Sequence, residues 1–275
     1  MGSEMFRRAL IPLTDSRRIL LDPALPQQQQ YTDSFGFEWT KIDGFVGKEV
    51  MSHGHLFGRF LLPVEFFKGK SVADVGCGNG RIGRLIIPDC SEYVGVDMSN
   101  SLSAFPTFIE NFEAVSLVKA SATDLPLEDN SVDIALCWGV LHHTDDPSAA
   151  FSELTRITKP GGYILIYVYP PKFDGRRNFN QLVRQMAPDI SFRLVEQISD
   201  ELDDWCEVDE FYGSIIAQHL HMGRKQSRSW QIFQWFDGIS PKFHWSLAEG
   251  ISEMSRAELD ITVCMPGVFK IRKRD

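Results

Sequence analysis

The feature that most constrains this chain is a short β-branched run that leads directly into three alternating glycines. Val72–Val75 is followed by Gly76, Gly78 and Gly80, and a helix is predicted over Arg81–Ile87. Glycine at such positions allows a tight turn and lets a ligand approach the backbone without a Cβ in the way. A strand, a glycine loop and a helix in this order are typical of α/β folds that bind ligands at the strand ends.

The same rhythm of strand and helix continues along the chain. Further strands are predicted at four β-branched runs, Tyr93–Val96, Val115–Lys119, Val132–Cys137 and Tyr163–Tyr169. A helix is predicted from Pro147 to about Thr158, with Asp146 as its N-cap, and Lys159–Gly162 is predicted as a turn into the next strand. Alternating strands and helices predict a parallel sheet that is covered on both faces.

Two strands near the C-terminus end the sheet. Leu259–Val263 and Val268–Arg272 are separated by only four residues. A parallel crossover needs a dozen residues or more, so this pair must be antiparallel. The predicted fold class is therefore α/β, with seven predicted strands in a mostly parallel sheet and an antiparallel last strand.

The rest of the chain divides by composition. Residues 1–30 are rich in Arg, Pro and Gln and are predicted as an N-terminal arm. Residues 31–170 and 246–275 form the predicted core, which begins with an aromatic segment. Residues 171–245 break the α/β rhythm and are interpreted as an inserted helical lid over the substrate.

Charge and cysteine content narrow the function classes. The net charge is −9, with 28 Lys and Arg against 37 Asp and Glu. Nucleic acids and anionic membranes bind through clustered cations, so neither is a predicted partner. The five cysteines form no CxxC pair, and no apolar run approaches the roughly 20 residues of a membrane span. A reduced, cytoplasmic protein is predicted, with its oligomeric state left open.

Two acids follow the strands beside the glycine loop. Asp97 ends the run Tyr93–Val96, and a carboxylate there can accept hydrogen bonds from both hydroxyls of a ribose. Asp124 follows the next strand, where it can accept from the exocyclic amine of adenine. The carboxyl ends of parallel strands meet at one edge, which is where open α/β sheets bind ligands.

Three other kinds of site are less consistent with the sequence, namely a dinucleotide site, a serine hydrolase site and a metal site. Gly78–Gly83 also matches the dinucleotide pattern GxGxxG. However, Asp74 places a negative charge at the loop, which suits a cationic ligand better than a pyrophosphate. A serine hydrolase is disfavoured because no GxSxG elbow is present. His53 and His55 lack a third matched ligand, so no metal site is predicted.

Four motifs together resemble the class I S-adenosylmethionine-dependent methyltransferases, in particular the small-molecule branch called methyltransferase type 11. The resemblance covers residues from about 71 to 170, and more weakly 246–275. It is carried by Asp74–Gly80, the strand-end Asp97, Asp124–Asp133 and Lys159–Gly162. The resemblance implies a Rossmann-like, seven-stranded sheet, S-adenosylmethionine as methyl donor and S-adenosylhomocysteine as product.

The resemblance also implies roles for individual residues. The glycine loop would pass under the methionine part of the donor, Asp97 would hold the ribose, and Asp124 with Leu125 would flank the adenine. Met98 would pack on the adenine ring, and Tyr31 of the aromatic segment would close over the donor. The residues assigned to donor binding are Tyr31, Asp74, Gly76, Gly78, Asn79, Gly80, Asp97, Met98, Thr123, Asp124, Leu125 and Trp138.

The acceptor side carries less specific signals. His142 and His143 follow the fourth strand, and either imidazole can act as general base near neutral pH. A backbone or capping contact is the alternative interpretation for each. Tyr167 and Tyr169 point to one face and can line a pocket. The insert holds a small cationic cluster, either a solvated face or a site for a carboxylate or phosphate, at His219, His221, Arg224, Lys225 and Arg228.

Together these patterns predict methyl transfer from S-adenosylmethionine to a small-molecule acceptor, with oxygen of a sugar or secondary metabolite as the target. Two alternatives remain open at this point. One is a methyltransferase that acts on a protein or RNA, and the other is a donor-binding module without turnover.

Overall fold

The computed structural model describes residues 5–12, 19–25, 53–105, 109, 111–168, 258–265 and 267–275. Within these ranges nine strands form one sheet. In chain order they are β1 (Ile11–Pro12), β2 (Ile19–Leu21), β3 (Ser71–Val75), β4 (Glu92–Asp97), β5 (Val115–Lys119), β6 (Val132–Trp138), β7 (Thr158–Tyr167), β8 (Leu259–Met265) and β9 (Val268–Lys273).

The sheet has the strand order β1-β2-β5-β4-β3-β6-β7-β9-β8. Strands β5, β4, β3, β6 and β7 are all parallel, and β9 runs antiparallel to both of its neighbours. The predicted α/β sheet with an antiparallel last strand is therefore confirmed. Its parallel arrangement brings the ends of β3, β4, β5, β6 and β7 to one edge.

The N-terminal arm adds two strands that the sequence did not predict. Ile19–Leu21 pairs in parallel with the outer side of β5, and β1 pairs antiparallel to β2. Without the arm, β5 would present unpaired backbone groups at the sheet edge, and such groups are readily paired by another chain segment. The arm therefore covers this edge, extending the seven predicted strands to nine in the described ranges.

Three α-helices are described, α1 (His53–Phe60), α2 (Gly83–Ile86) and α3 (Pro147–Ile157), together with short 3-10 turns at Val64–Phe67, Asn100–Ala104 and Leu141–His143. Helix α3 begins where predicted, because the Asp146 carboxylate accepts from the Ala149 N–H at 2.9 Å. Helix α2 is shorter than predicted, since residues 81–82 form a turn that leads out of the glycine loop.

Strand β7 also differs from its predicted start at Tyr163. It begins at Thr158, and the residues predicted as a separate turn form an irregularity within the strand. The register moves from Val132 opposite Thr158 to Ile134 opposite Tyr163. Gly161 has φ 74°, which accounts for the turn-like signal in the sequence.

Helices cover both faces of the sheet. The α3 side packs through Ala150, Phe151, Leu154 and Ile157. The α1 side packs through Leu56, Phe57 and Phe60. No helix among the described residues is long and apolar enough to cross a membrane. The predicted lid at 171–245 and the aromatic segment that contains Tyr31 lie outside the described residues.

Candidate functional site

The loop after β3 turns the chain through three glycines in the left-handed region. The φ angle is 79° at Gly76, 56° at Gly78 and 80° at Gly80, values that residues with side chains rarely adopt. A Cβ on Gly76 would lie 2.1 Å from Val140 Cγ2, and one on Gly80 would lie 2.5 Å from the Phe105 ring. The protein's own packing therefore requires these two glycines, as does the turn.

Asp97 ends β4 and ties that strand to the glycine loop. Its Oδ2 accepts from the Gly78 N–H at 2.9 Å, and its Oδ1 accepts from the N–H and the hydroxyl of Ser99 at 2.8 and 2.7 Å. A carboxylate offers about four acceptor positions, so one is left. The Ser99 hydroxyl also lies 2.7 Å from Ser101 Oγ and can donate there instead, which frees a second position. The carboxylate thus keeps acceptor capacity for two hydroxyls, and its ribose role stays a prediction.

Asp74 is buried beneath the glycine loop. Its Oδ2 accepts a hydrogen bond from Tyr93 Oη at 2.8 Å. The Tyr93 ring has room because Gly95, opposite Asp74 on β4, has no side chain. Burial raises the pKa of Asp74 to about 7, against the effect of the Tyr93 hydrogen bond, and the Asp97 carboxylate raises it further. A cation nearby would favour the ionised form.

The loop after β5 is held by the N-terminal arm. Both Arg7 and Arg8 pair with Asp124 Oδ1, Arg8 at 3.0 Å, and Arg8 also donates to the Asp124 carbonyl at 2.7 Å. The hydrogen bond from Arg8 lowers the pKa of Asp124. The N–H of the buried Leu125 donates to Glu153 Oε2 at 2.7 Å. The acid predicted to stand open to an adenine amine is therefore engaged by guanidinium groups, and its adenine role stays a prediction.

Serine hydroxyls at the same edge were missed by the sequence analysis. Ser121 follows the end of β5, and its Oγ lies 2.8 Å from Thr123 Oγ1. Ser99 and Ser101 stand beside Asp97. The only signal for them was their position just after a strand end, because serine is common in loops of every kind.

The tips of β6 and β7 carry an aromatic pair. Trp138 and Tyr167 are directly opposite each other, and their ring centroids are 4.8 Å apart. The Phe60 ring packs edge-on against Trp138 at 5.6 Å. The guanidinium of Arg59 lies 5.7 Å from the centroid of the Trp138 ring and 5.3 Å from that of Tyr167. Trp138, predicted to bind the donor, is thus buried in the centre of this group. Its contacts come from α1, through Arg59 and Phe60, and from β7, through Tyr167.

The two predicted general bases occupy the 3-10 turn after β6. The His142 ring is buried and the His143 ring is half-buried, with centroids 4.2 Å apart. The backbone N–H of His143 donates to the Val140 carbonyl at 2.8 Å, which closes the turn next to the glycine loop. The His143 ring is the less buried of the two, but its Nε2 is buried as well, and the choice of base stays a prediction.

The other assigned residues have simpler positions. Asn79 is buried within the glycine loop, and Met98 is half-buried just after Asp97. Neither Tyr31 nor the cationic cluster of the insert lies in the described ranges. Those ranges hold no group of three or more His, Cys, Asp or Glu side chains able to bind a metal ion.

The donor set around the glycine loop fits the predicted methyl donor. Asp74 and Asp97 place two acids beside the loop, and Asp97 raises the pKa of Asp74, as a like charge at close range does. A sulfonium with an α-ammonium group carries positive charge and would be attracted there. A pyrophosphate would be repelled, so the geometry also disfavours the dinucleotide alternative.

Comparison with known proteins agrees with this geometry. A family model described as "Methyltransferase domain" matches residues 73–166. An uncharacterized methyltransferase of Mycobacteroides abscessus is 30% identical over 48% of this chain and 53% of its own length. A tRNA U34 carboxymethyltransferase of Campylobacter curvus is 27% identical over 66% of this chain and 60% of its own length. The chain thus spans about half the length of the curated relatives it matches.

One solved structure covers nearly the whole chain. It is the complex between the Haloferax volcanii Trm112 methyltransferase activator and a proposed methyltransferase. The match has a TM-score of 0.50 and 18% identity, and it covers 88% of this chain and 97% of the other. At that identity the likeness supports the fold. The family model matches residues 73–166 as a methyltransferase domain, and the strand order with this likeness supports the class I S-adenosylmethionine-dependent methyltransferase fold for them.

Proposed function

We propose that this chain transfers a methyl group from S-adenosylmethionine to an oxygen atom of a small-molecule acceptor of the sugar or secondary-metabolite type. The observation that carries the proposal is Asp97. Its carboxylate holds the Gly78 N–H at 2.9 Å and keeps acceptor capacity for a ribose. One side chain thus couples the shape of the glycine loop to recognition of the donor.

The bound donor would supply an activated methyl group with a good leaving group. The protein's part is then to hold the acceptor in line and close to it, because proximity and orientation dominate such reactions. Trp138, predicted to bind the donor, is reassigned here, because with Tyr167 it would present an aromatic surface to the acceptor. Either His142 or His143 would be the general base that removes the hydroxyl proton of the acceptor, and a protonated amine would need the same help.

A small acceptor is favoured over a nucleic acid by charge. The Campylobacter curvus relative acts on tRNA according to its name, so the fold itself permits such substrates. This chain carries a net charge of −9, and RNA-binding surfaces depend on clustered cations. The predicted cytoplasmic location is part of the same proposal.

Titration calorimetry with Asp97 variants tests the donor site. Wild type should bind S-adenosylhomocysteine and not NADH. Asp97→Ala should weaken that binding about 100-fold, since two charge-assisted hydrogen bonds are lost. Asp97→Asn keeps the side-chain shape and separates loss of recognition from collapse of the loop. Asp260→Ala, an exposed acid on β8, is the matched control. Unchanged affinity in Asp97→Ala would contradict the proposal.

Turnover and acceptor class need a second measurement. The protein would be incubated with methyl-labelled S-adenosylmethionine and, separately, with pooled metabolites, bulk tRNA and a protein extract. Label in the small-molecule fraction is the expected result. Label in tRNA or protein would show that the acceptor is a macromolecule and not a small molecule. Binding of S-adenosylhomocysteine with no label in any fraction would indicate a donor-binding module without turnover.

A further inference from the structure

The C-terminal end of α1 places one arginine over the tips of two central strands. The Arg59 guanidinium carbon lies within 6 Å of two ring centroids, at 5.7 Å from Trp138 and 5.3 Å from Tyr167. That is the range in which a guanidinium is attracted to the face of an aromatic ring. The Trp138 ring is itself held in place, because it is buried and also packs against Phe60.

The rest of the fold holds α1 in this position. The Phe60 carbonyl, next to Arg59, accepts from Cys264 Sγ on β8 at 3.4 Å. Phe60 itself is fully buried. Arg59 therefore lies at a helix end that is fixed to the sheet, and its guanidinium contacts the two rings.

Arg59 differs from other arginines in its partners. Five arginines of the described ranges are each paired with a carboxylate, namely Arg7, Arg8, Arg156, Arg272 and Arg274. In the same ranges no carboxylate lies within ion-pair distance of Arg59. Contact with the two rings does not use the N–H donors of the guanidinium, and no hydrogen bond from Arg59 to another described residue does so either. Those donors match the geometry of a carboxylate or a phosphate.

This cation lies at the same sheet edge as the donor site. The segment after Trp138 continues through Gly139, whose N–H donates to the Tyr167 carbonyl at 2.8 Å. The next residue, Val140, packs directly over Gly76 of the glycine loop. Two acids therefore stand beside the glycine loop at this edge, and an arginine without a carboxylate partner in the described ranges stands at the tips of β6 and β7.

We propose that Arg59 is an acceptor-binding residue that holds a carboxylate or phosphate group of the methyl acceptor against the Trp138–Tyr167 pair. The acceptor is thus a small organic anion. This inference rests on the proposed methyltransferase function, because it assigns the other substrate of the same site. The aromatic pair would contact the apolar part of the acceptor, while the guanidinium fixes its anionic end.

Calorimetry on the full chain, saturated with S-adenosylhomocysteine, tests the inference with three probes. Benzoate carries a carboxylate, phenyl phosphate carries a phosphate, and benzamide is a neutral analogue of similar shape. The variants are Arg59→Met, which keeps much of the apolar stem, and Arg59→Lys, which keeps the charge but not the planar fork. Arg274→Met removes an arginine that is paired with Asp260 at the far end of β9 and serves as the matched control.

Wild type and Arg274→Met should bind at least one of the two anions more tightly than benzamide. Arg59→Met should weaken anion binding at least about tenfold and leave benzamide unchanged, with Arg59→Lys in between. The preferred anion identifies the group on the acceptor. Equal anion binding by wild type and Arg59→Met, no anion binding by wild type, or equal binding of benzamide would each overturn the inference.

The same titrations distinguish this inference from the proposed function. Failure of wild type to bind S-adenosylhomocysteine would overturn the donor assignment, and the anion titrations on the ligand-free chain would still report on Arg59. Binding of S-adenosylhomocysteine without any dependence of anion binding on Arg59 would leave the donor site in place and remove the acceptor assignment.

Discussion

The loop after β3 and the loop after β5 both belong to the predicted donor site, yet they are held in different ways. The first is held by packing, with Gly76 against Val140 and Gly80 against Phe105. The second is held by ion pairs that reach from the N-terminal arm to Asp124. Packing contacts inside a core have almost no tolerance for added volume, whereas partly exposed ion pairs contribute little each.

This difference indicates that the two loops depend on different parts of the protein for their shape. The glycine loop is preformed, because its shape follows from residues that are already buried. The β5 loop depends on the arm, which itself pairs with β5 through three residues. The β5 loop is therefore coupled to the docking of the arm, and the glycine loop is not.

The largest expected effect comes from adding one methyl group to the packed loop. Gly76→Ala should lower the free energy of unfolding by about 4 kcal/mol, because it combines a left-handed backbone with a clash against Val140. Gly69→Ala is the matched control. Gly69 also has a positive φ, of 66°, but a Cβ there meets nothing within 4 Å. That variant should cost only about 1–2 kcal/mol.

Urea unfolding monitored by circular dichroism would measure both variants. The double variant Gly76→Ala, Val140→Ala should recover the part of the loss that comes from the clash and not the part that comes from the backbone. Equal costs for Gly76→Ala and Gly69→Ala would show that the loop is not held by packing, and the contrast with the β5 loop would disappear.

The ionisation of Asp74, beneath the packed loop, makes the free energy of unfolding depend on pH. Its pKa is raised from 3.8 to about 7 by burial, so the unfolded chain loses this proton at a lower pH than the native protein does. The contribution to stability is present below pH 4 and is lost as the pH rises to 7, at about 1.4 kcal/mol per pH unit. Above pH 7 the free energy of unfolding no longer changes through this group, because Asp74 is then ionised in both states.

Asp74→Asn removes this titration. Its free energy of unfolding relative to wild type should therefore rise by a few kcal/mol between pH 4 and 7 and then level off. Asp260→Asn is the control, because the hydrogen bond from Arg274 lowers the pKa of Asp260 and moves its titration below this range. Parallel pH profiles for wild type and Asp74→Asn would show that the acid beneath the glycine loop is not held neutral.

The packed half of the site could largely be predicted from the sequence, because its signals are local. Val115–Lys119 forms a strand with the predicted bounds, and Asp146 caps α3 as predicted. The glycine loop and Asp97 are brought together by the parallel pairing of β3 and β4, which strand–helix alternation already implies. Short-range patterns of this kind record the backbone geometry directly.

The remaining contacts join residues far apart in the chain, and no periodicity records them. Arg7 and Asp124 are separated by 117 positions. Ile19–Leu21 is only three residues long in a segment with a loop-like composition, and it becomes a strand because β5 offers an open edge. Arg59 meets Trp138 only after α1 docks on the sheet. Tertiary packing determines all three contacts, so residue patterns alone do not reveal them.

The smallest expected effect concerns the arm and compares two neighbouring arginines. Arg8 pairs with Asp22, whose side chain is only 1% exposed, whereas Arg7 pairs with Asp124, whose side chain is 50% exposed. Arg8→Met leaves a buried carboxylate without its guanidinium and should weaken docking of the arm by about 2 kcal/mol. Arg7→Met should cost less than about 1 kcal/mol.

Hydrogen exchange of the backbone amides shared by β2 and β5 reads out this docking, since the Asp22 N–H donates to the Lys119 carbonyl at 3.0 Å. Exchange there should be about 30-fold faster in Arg8→Met and less than about fivefold faster in Arg7→Met. Amides of the glycine loop should exchange as in wild type in both variants, because that loop does not depend on the arm. Faster exchange at Gly76 and Gly78 in Arg8→Met would mean that the two loops respond as one unit, and the arm would then support the whole donor site.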